Sequence, residues 1–177
     1  MISRTPSDSY TVVTDLVLPS ETNPVGNMFG GELLARMDRA ASIAARRHCR
    51  RIVTTVSVNH VNFSKMIPLG SVVTIEAKVS RAFKSSMEVV MDIWIEDRES
   101  GSRKKSNEGI YTFVAVDESG QPVPIPALIP ESDLEKDTIL ESELNEIKGA
   151  GEANSMFGKW LKIRAVETSF GDYGNPM

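Results

Sequence analysis

A short loop rich in asparagine and glycine leads directly into a helical pattern, and its residue types can do chemistry. The loop reads Asn23-Pro24-Val25-Gly26-Asn27-Met28-Phe29-Gly30-Gly31. The first turn of a helix offers N–H groups without intrahelical acceptors and the positive end of the helix dipole, which suit a developing oxyanion. Asp38 lies further along the same helical pattern, at the margin of its apolar stripe. The segment therefore predicts a site in which Gly30 and Gly31 polarise a carbonyl, Asp38 accepts a proton or attacks directly, and Asn23 orients water or substrate.

The same residues also have a structural interpretation, which residue types alone leave open. Glycines before a helix often form only a tight turn, and an aspartate beside an apolar stripe is often hydrogen-bonded to backbone. Competing chemistries lack their signatures. The two histidines and one cysteine, His48, His60 and Cys49, show no metal-ligand spacing, and no serine elbow, P-loop or dinucleotide glycine pattern occurs. Metal-free hydrolysis of an activated ester such as a thioester is the chemistry that remains.

Composition limits the possible partners and the compartment. The 177 residues carry a net charge of -4, which provides no overall basic field for nucleic acid or an anionic membrane. Cys49 is the only cysteine, so a reducing compartment is expected. No apolar run resembles a signal peptide or a membrane span. We therefore expect a soluble cytoplasmic protein that binds neither nucleic acid nor membrane and uses no metal or cofactor.

Hydrophobic periodicity predicts the order strand, helix and four antiparallel strands. The first strand covers about 10–18, the helix about 31–47, and the later strands 52–63, 71–82, 86–96 and 108–116. Around the helix, one face is expected to be polar and carries Glu32, Arg36, Arg39 and Arg46. A proline-rich stretch precedes a second helix at 131–148, and a tail of unknown role covers 149–177. An N-terminal tail is expected at 1–9 and one domain at 10–130.

The turn between the third and fourth predicted strands is basic. Phosphate groups could be bound there by Arg81, Lys84, Ser85 and Ser86. Taken alone, this turn is more typical of an ordinary solvated hairpin, and residues 103–105 (Arg-Lys-Lys) are likewise interpreted as a solvated loop.

Motifs along the whole domain resemble the hotdog-fold acyl-CoA thioesterases, of the cytosolic acyl-CoA hydrolase type and its short bacterial relatives. The resemblance covers about 10–132 and is carried by the opening loop and by five further segments: Met37-Asp38, Ala45-Arg46-Arg47-His48-Cys49, Val61-Asn62-Phe63, Lys84-Ser85-Ser86-Met87 and, in the last strand, Tyr111-Thr112-Phe113-Val114-Ala115-Val116. It implies an α+β fold in which a five-stranded antiparallel sheet wraps around one long central helix, here with a C-terminal helical extension.

The resemblance also implies a function and an assembly. It implies hydrolysis of acyl-CoA to fatty acid and coenzyme A in a homodimer, with Asn23 of one protomer facing Asp38 of the other, and assembly of three dimers into a hexamer. Gly30 and Gly31 would supply oxyanion contacts, and Lys84 to Ser86 would lie near the coenzyme A phosphates. A non-catalytic acyl-CoA-binding or regulatory module on the same fold is the alternative. A hotdog hydratase is a third option, although His48 and His60 are poorly placed for it.

Overall fold

The computed structural model describes residues 3–131, which form one antiparallel sheet around a long helix. The second predicted helix and the tail at 149–177 lie outside the described residues. The helices are α1 (Pro6–Ser9) and α2 (Gly30–Cys49), and a 3-10 turn covers Pro19–Glu21. The strands are β1 (Thr11–Leu16), β2 (Ile52–Asn62), β3 (Val72–Ala82), β4 (Ser86–Glu96) and β5 (Arg103–Val116). The predicted order of strand, helix and four strands is confirmed.

The sheet has the strand order β1-β3-β4-β5-β2, and every pairing is antiparallel. The core lies between the inner face of this sheet and α2, which contacts all five strands. Alternate residues of β3 and β4 point into the core, as the period of two predicts. Strand β2 forms one edge of the sheet. It is 11 residues long, and its pairing with β5 contains two register shifts. A long edge strand leaves one row of backbone N–H and C=O groups available for pairing.

Helix α2 approaches the sheet closely because its inner face is built from alanines. Four of them have no exposed surface: Ala40, Ala41, Ala44 and Ala45. Alanine has the highest helix propensity, so the same residues favour the helix and the close approach. The helix ends at Arg50, which adopts the left-handed conformation with φ of 54°.

Arg36 departs from the expected polar face of α2, because its side chain is only 5% exposed. Its guanidinium Nη2 donates to both carboxylate oxygens of Glu21, at 2.8 and 2.7 Å, and to the carbonyl of Leu16 at 2.9 Å. Asp15 lies at 3.5 Å. A buried charge needs such partners. This ion pair ties the 3-10 turn, and so the start of the Asn23 loop, to α2.

Strand β5 begins five residues earlier than predicted, so the interpretation of residues 103–105 as a loop was wrong. Strands β3 and β4 supply counter-charges to the basic side chains there. Arg103 pairs with Glu76 at 2.7 Å, and Lys105 pairs with Asp92 at 2.6 Å. The predicted N-terminal tail also contains structure: α1 forms within it, and Arg4 pairs with the backbone of Ala127 and Ile129.

Candidate active site

Asp38 projects from α2 toward β2, where one oxygen of its carboxylate is held. The hydroxyl of Thr55 donates to Asp38 Oδ1 at 2.6 Å. The other oxygen, Oδ2, has no hydrogen-bond partner within residues 3–131. Because Asp38 is half-buried, this free oxygen remains accessible. The arrangement orients a carboxylate and leaves one oxygen able to accept a proton.

Tyr111 lies in β5 next to this carboxylate and is almost fully buried. Its hydroxyl donates to the carbonyl of Leu34 at 3.3 Å. Burial, together with the nearby charge of Asp38, raises the pKa of Tyr111 to about 12. The phenol is therefore neutral at physiological pH, and it forms one apolar wall beside Asp38.

Asn23 closes a compact loop with its own side chain. Its Oδ1 accepts from the backbone N–H groups of Val25 and Asn27, both at 3.1 Å. Gly26 permits the turn through a φ of 76°. The Nδ2 group of Asn23 donates to nothing in the described part of the chain. The loop thus fixes the asparagine and leaves its amide donor available.

Gly30 and Gly31 are the first two residues of α2, which begins one residue before the predicted start near Gly31. No acceptor for their N–H groups occurs within residues 3–131, whereas the next two N–H groups bond to the carbonyl of Phe29. Neither glycine has a positive φ, and a Cβ at Gly30 would lie 3.7 Å from the Phe63 ring, an ordinary contact. Two unpaired donors at the positive end of a 20-residue helix are suited to a carbonyl oxygen that gains negative charge.

A cavity of about 270 Å³ brings Asn23 together with Gly30. Its walls are mainly apolar and include Leu33, Phe63 and Met66. Asp38 and Thr55 do not line this cavity. Within one chain the predicted site residues therefore form two groups, with the amide and the helix start in one and the carboxylate in the other.

The predicted phosphate-binding turn lies at the end of the sheet opposite to this cavity. Arg81 is already engaged, since it pairs with Glu88 at 3.1 Å and its guanidinium stacks 4.9 Å from the Phe83 ring centroid. The carbonyl of Ser85 accepts a hydrogen bond from the backbone N–H of Ala115 in β5. Lys84 is exposed, and its ammonium makes no hydrogen bond or ion pair within residues 3–131. Of the two cations predicted here, only Lys84 is free to meet a ligand.

The surroundings of His48 and Cys49 in α2 indicate a structural role for both side chains. His48 has no exposed surface, its Nε2 lies 2.9 Å from the carbonyl of Pro126, and burial lowers its pKa. Burial also raises the pKa of the Cys49 thiol, which disfavours the thiolate that a nucleophile requires. Within residues 3–131 no three His, Cys, Asp or Glu side chains are grouped closely enough to hold a metal ion, and none of the described helices is long and apolar enough to cross a membrane.

Comparison with known proteins identifies the family. Residues 25–102 match the model of the thioesterase superfamily. An acyl-CoA thioester hydrolase of Bacillus subtilis, itself uncharacterised, is 40% identical over 128 residues, which cover 72% of this chain and 74% of that relative. The chain belongs to the hotdog-fold acyl-CoA thioesterases. The resemblance noted in the sequence is confirmed, and so is the predicted hotdog fold.

Solved structures of other hotdog thioesterases superimpose on this chain. An acyl-CoA hydrolase from Staphylococcus aureus, solved with butyryl-coenzyme A, coenzyme A and coenzyme A disulfide, has a TM-score of 0.77 at 33% identity and covers 90% of this chain and 99% of its own. A hexameric acyl-CoA thioesterase gives 0.79 at 33% identity, with 86% and 98% covered.

The Staphylococcus aureus hydrolase has also been solved as alanine variants of one asparagine, one aspartate and one threonine. The intervals between those three positions equal the intervals from Asn23 to Asp38 and from Asp38 to Thr55. Thr55 was missed by the sequence reasoning. It is one of several β-branched residues in β2, and only the folded chain places its hydroxyl against Asp38.

Proposed function

We propose that this protein hydrolyses the thioester bond of acyl-CoA, releasing a fatty acid and coenzyme A. The observation that carries the proposal is the Asp38 carboxylate, oriented through one oxygen by Thr55 and open at the other. A non-catalytic acyl-CoA-binding module has no need for a half-buried carboxylate with a free oxygen in this position. No metal or further cofactor takes part in the proposed reaction, because the thiol of coenzyme A is a good leaving group.

The proposed reaction uses Asp38 as general base or as nucleophile. As a base, its Oδ2 takes a proton from water while the water oxygen bonds to the thioester carbon. The carbonyl oxygen then becomes an oxyanion, which the N–H groups of Gly30 and Gly31 stabilise. When the C–S bond breaks, the thiolate recovers the proton from Asp38. As a nucleophile, Asp38 instead forms an acyl anhydride that water opens, and both routes require the same carboxylate.

We further propose that Asn23 and Asp38 act together across a homodimer. The two residues fall in separate groups within one chain, and the unpaired edge of β2 lies beside Asp38 and Thr55. Exposed apolar side chains of β2 and the segment after it, Val58 and Phe63 among them, favour burial against a second copy. Two antiparallel β2 strands would join the sheets and bring each Asn23 to the Asp38 of the other protomer. Three such dimers would form a hexamer, the state of the related thioesterase of known structure.

The remaining parts of the proposal concern the rest of the substrate and the compartment. Lys84, Ser85 and Ser86 would contact the coenzyme A phosphates, with Arg81 held beside them by Glu88. The equal intervals among Asn23, Asp38 and Thr55 in the Staphylococcus aureus hydrolase support an active-site role for all three. A free, buried Cys49 is compatible with the reducing cytoplasm.

The test is release of free thiol from acyl-CoAs of several chain lengths by the purified full-length protein. We expect turnover with at least one substrate and a loss of about a hundredfold or more in Asp38→Asn. Glu99→Gln is the matched control, because that carboxylate is exposed and has no side-chain partner within residues 3–131. Tight binding with an intact thioester after long incubation would instead identify a binding module, and a near-normal Asp38→Asn would remove Asp38 from the mechanism.

A further inference from the structure

Two β-bulges interrupt β2 directly after Thr55, the residue that orients Asp38. Val56 and Asn59 have no residue opposite them in β5, because the register of the β2–β5 pairing shifts at each of these positions. A bulge bends its strand and increases the local twist, and bulges near active sites re-aim side chains. Two bulges so close together therefore indicate a requirement on the direction of β2 beside Asp38.

The bulges change which side chains of β2 face α2. In a regular strand alternate residues lie on one face, so Ser57 and Asn59 would follow Thr55 toward the helix. Instead, Ser57 lies opposite Thr112. The residues on either side of Thr112 are buried in the core, so Thr112 itself is on the outer face of the sheet. The bulges thus turn Ser57 and Asn59 outward, while Thr55 still faces Asp38.

Hydrogen bonds on this outer face fasten both bulges to β5. The hydroxyl of Ser57 donates to Asn59 Oδ1, and Asn59 Nδ2 donates to the hydroxyl oxygen of Thr112 at 2.6 Å. Ser57 directly follows the first bulge, and Asn59 forms the second. We call these three side chains the Asn59 bridge. The bridge replaces, through side chains, part of the backbone pairing that the bulges remove.

Within residues 3–131 this part of β2 has few other supports. The strand is an edge and pairs with β5 alone, and residues 57–60 are exposed. A slip of a strand by one residue along its partner moves every side chain to the opposite face. Such a slip would point Thr55 away from Asp38, so the register of β2 controls the contact between them.

This contact tolerates little movement. Thr55 donates to Asp38 Oδ1 at 2.6 Å, and a hydrogen bond between two oxygens is lost beyond about 3.5 Å. A displacement of about 1 Å away from Asp38 is therefore enough to release the carboxylate, and misplacements on this scale lower turnover in enzymes. Whatever fixes β2 at its bulges also fixes the orientation of Asp38.

Protection of the sheet edge explains the bulges only in part. Bulges on an edge strand hinder pairing with other chains, whereas β2 is the strand through which two copies are proposed to join. Edge protection also needs no side-chain link to β5, and it gives no reason for the bulges to begin at the residue after Thr55. A bridge that controls the direction of Thr55 accounts for both observations.

We propose that Asn59 and Thr112 are positioning residues for the hydrolysis, and that their bridge holds β2 so that the Thr55 hydroxyl stays on Asp38. Neither of the two residues touches the reacting atoms, because both side chains lie on the outer face of the sheet. The inference rests on the proposed function and deepens it. Since Asp38 acts in the chemical step, loss of the bridge should lower kcat and leave KM nearly unchanged.

The test removes the bridge with an isosteric change, Thr112→Val, and separately with Asn59→Ala. Free-thiol release at varied acyl-CoA concentration gives kcat and KM. We expect each variant to lower kcat by about threefold to tenfold, the loss typical of one hydrogen bond. Thr112→Ser keeps the hydroxyl and should restore most of the wild-type kcat. Thr14→Val is the matched control, because it removes another cross-strand hydroxyl contact, with Thr74 at 3.0 Å, at the opposite edge of the sheet. This control should alter neither kcat nor KM.

Coupling to Thr55 distinguishes positioning from general damage to the fold. In a Thr55→Val background, Thr112→Val should cause no further loss of kcat, because the contact that the bridge serves is already absent. The inference is overturned if Thr112→Val and Asn59→Ala both have the wild-type kcat. It is also overturned if Thr112→Val lowers kcat by the same factor with and without the Thr55 hydroxyl.

Crystal structures of the variants separate this inference from the proposed function, because they need no activity. We expect the distance from Thr55 Oγ1 to Asp38 Oδ1 to exceed about 3.5 Å in Thr112→Val and to stay at 2.6 Å in Thr14→Val. If the wild-type protein hydrolyses no acyl-CoA and Thr112→Val loses the contact, the positioning inference stands and the hydrolase proposal fails. If hydrolysis occurs and Thr112→Val keeps the contact, the hydrolase proposal stands and the positioning inference is overturned.

Discussion

Mixing two inactive variants is expected to restore activity, because each chain contributes a different half of the proposed site. In Asn23→Ala the amide donor is lost and Asp38 remains, and in Asp38→Asn the reverse holds. A mixed dimer then contains one site with both groups and one with neither. When the two chains are co-expressed in equal amounts, random pairing makes half of the dimers mixed, so about one quarter of the wild-type activity is expected from a two-fold symmetric dimer. Assembly of dimers into a hexamer does not change this fraction.

The structure supplies a matched negative control for the same experiment. Thr55 and Asp38 are hydrogen-bonded within one chain at 2.6 Å, so they belong to the same half. Co-expression of Asp38→Asn with Thr55→Val gives one site without the carboxylate and one without the hydroxyl, and no activity above the Thr55→Val parent is expected. Free-thiol release with a saturating acyl-CoA measures both mixtures. If the mixture of Asn23→Ala and Asp38→Asn stays as inactive as its parents while mixed dimers are demonstrated, the shared site is refuted.

Three further predictions concern the framework around the site. Gly109→Ala should lower the free energy of unfolding by about 1–3 kcal/mol, because its Cβ would overlap the terminal methyl of Met37, which is fully buried, and would lie only 3.3 Å from the backbone carbonyl of His60. An unchanged urea midpoint would contradict these close contacts. Glu21→Gln should lower the free energy of unfolding by about 1–3 kcal/mol, because it leaves the buried guanidinium of Arg36 without its main counter-charge. The equilibrium urea curve measures this change, and an unchanged free energy of unfolding would mean that Asp15 takes over as the counter-charge of Arg36. Burial lowers the pKa of His48 from 6.5, so His48 contributes stability that is complete above pH 6.5 and is lost as the pH falls toward its folded pKa. The loss of stability in this pH range should be smaller in His48→Gln. Equal slopes of unfolding free energy against pH in the two proteins would exclude the histidine as its cause.

The features that the sequence predicted well depend on neighbours along the chain. The start of α2, predicted near Gly31 and found at Gly30, and the bounds of β3 and β4 to within one residue, follow from hydrophobic periods of 3.6 and two residues. The two glycines at the helix start and the place of Asn23 in the loop before it follow from the same local pattern. These features need no knowledge of the fold, because turns, caps and periodicity are set by residues only a few positions apart.

The features that it missed depend on residues distant in the chain. Arg36 is buried because Glu21 of the preceding turn compensates its charge, and β5 extends to Arg103 because its backbone pairs with β4 there, with Glu76 of β3 as a counter-ion for Arg103. Neither a helical wheel nor a count of charges identifies Glu21 or Glu76 as the partner. The polar face and the solvated loop were therefore reasonable expectations that tertiary contacts overrode.

The sequence by itself determined the helix that carries Asp38, the alternating strands and the family to which the chain belongs. Only the tertiary structure decided that Thr55 orients Asp38 and that Asn23 lines a cavity from which Asp38 is absent. The physical reason is the antiparallel sheet, which aligns β2 with α2 and so juxtaposes side chains from separate parts of the chain. Periodicity specifies the face on which a residue lies, whereas packing of one element against another specifies what that residue touches.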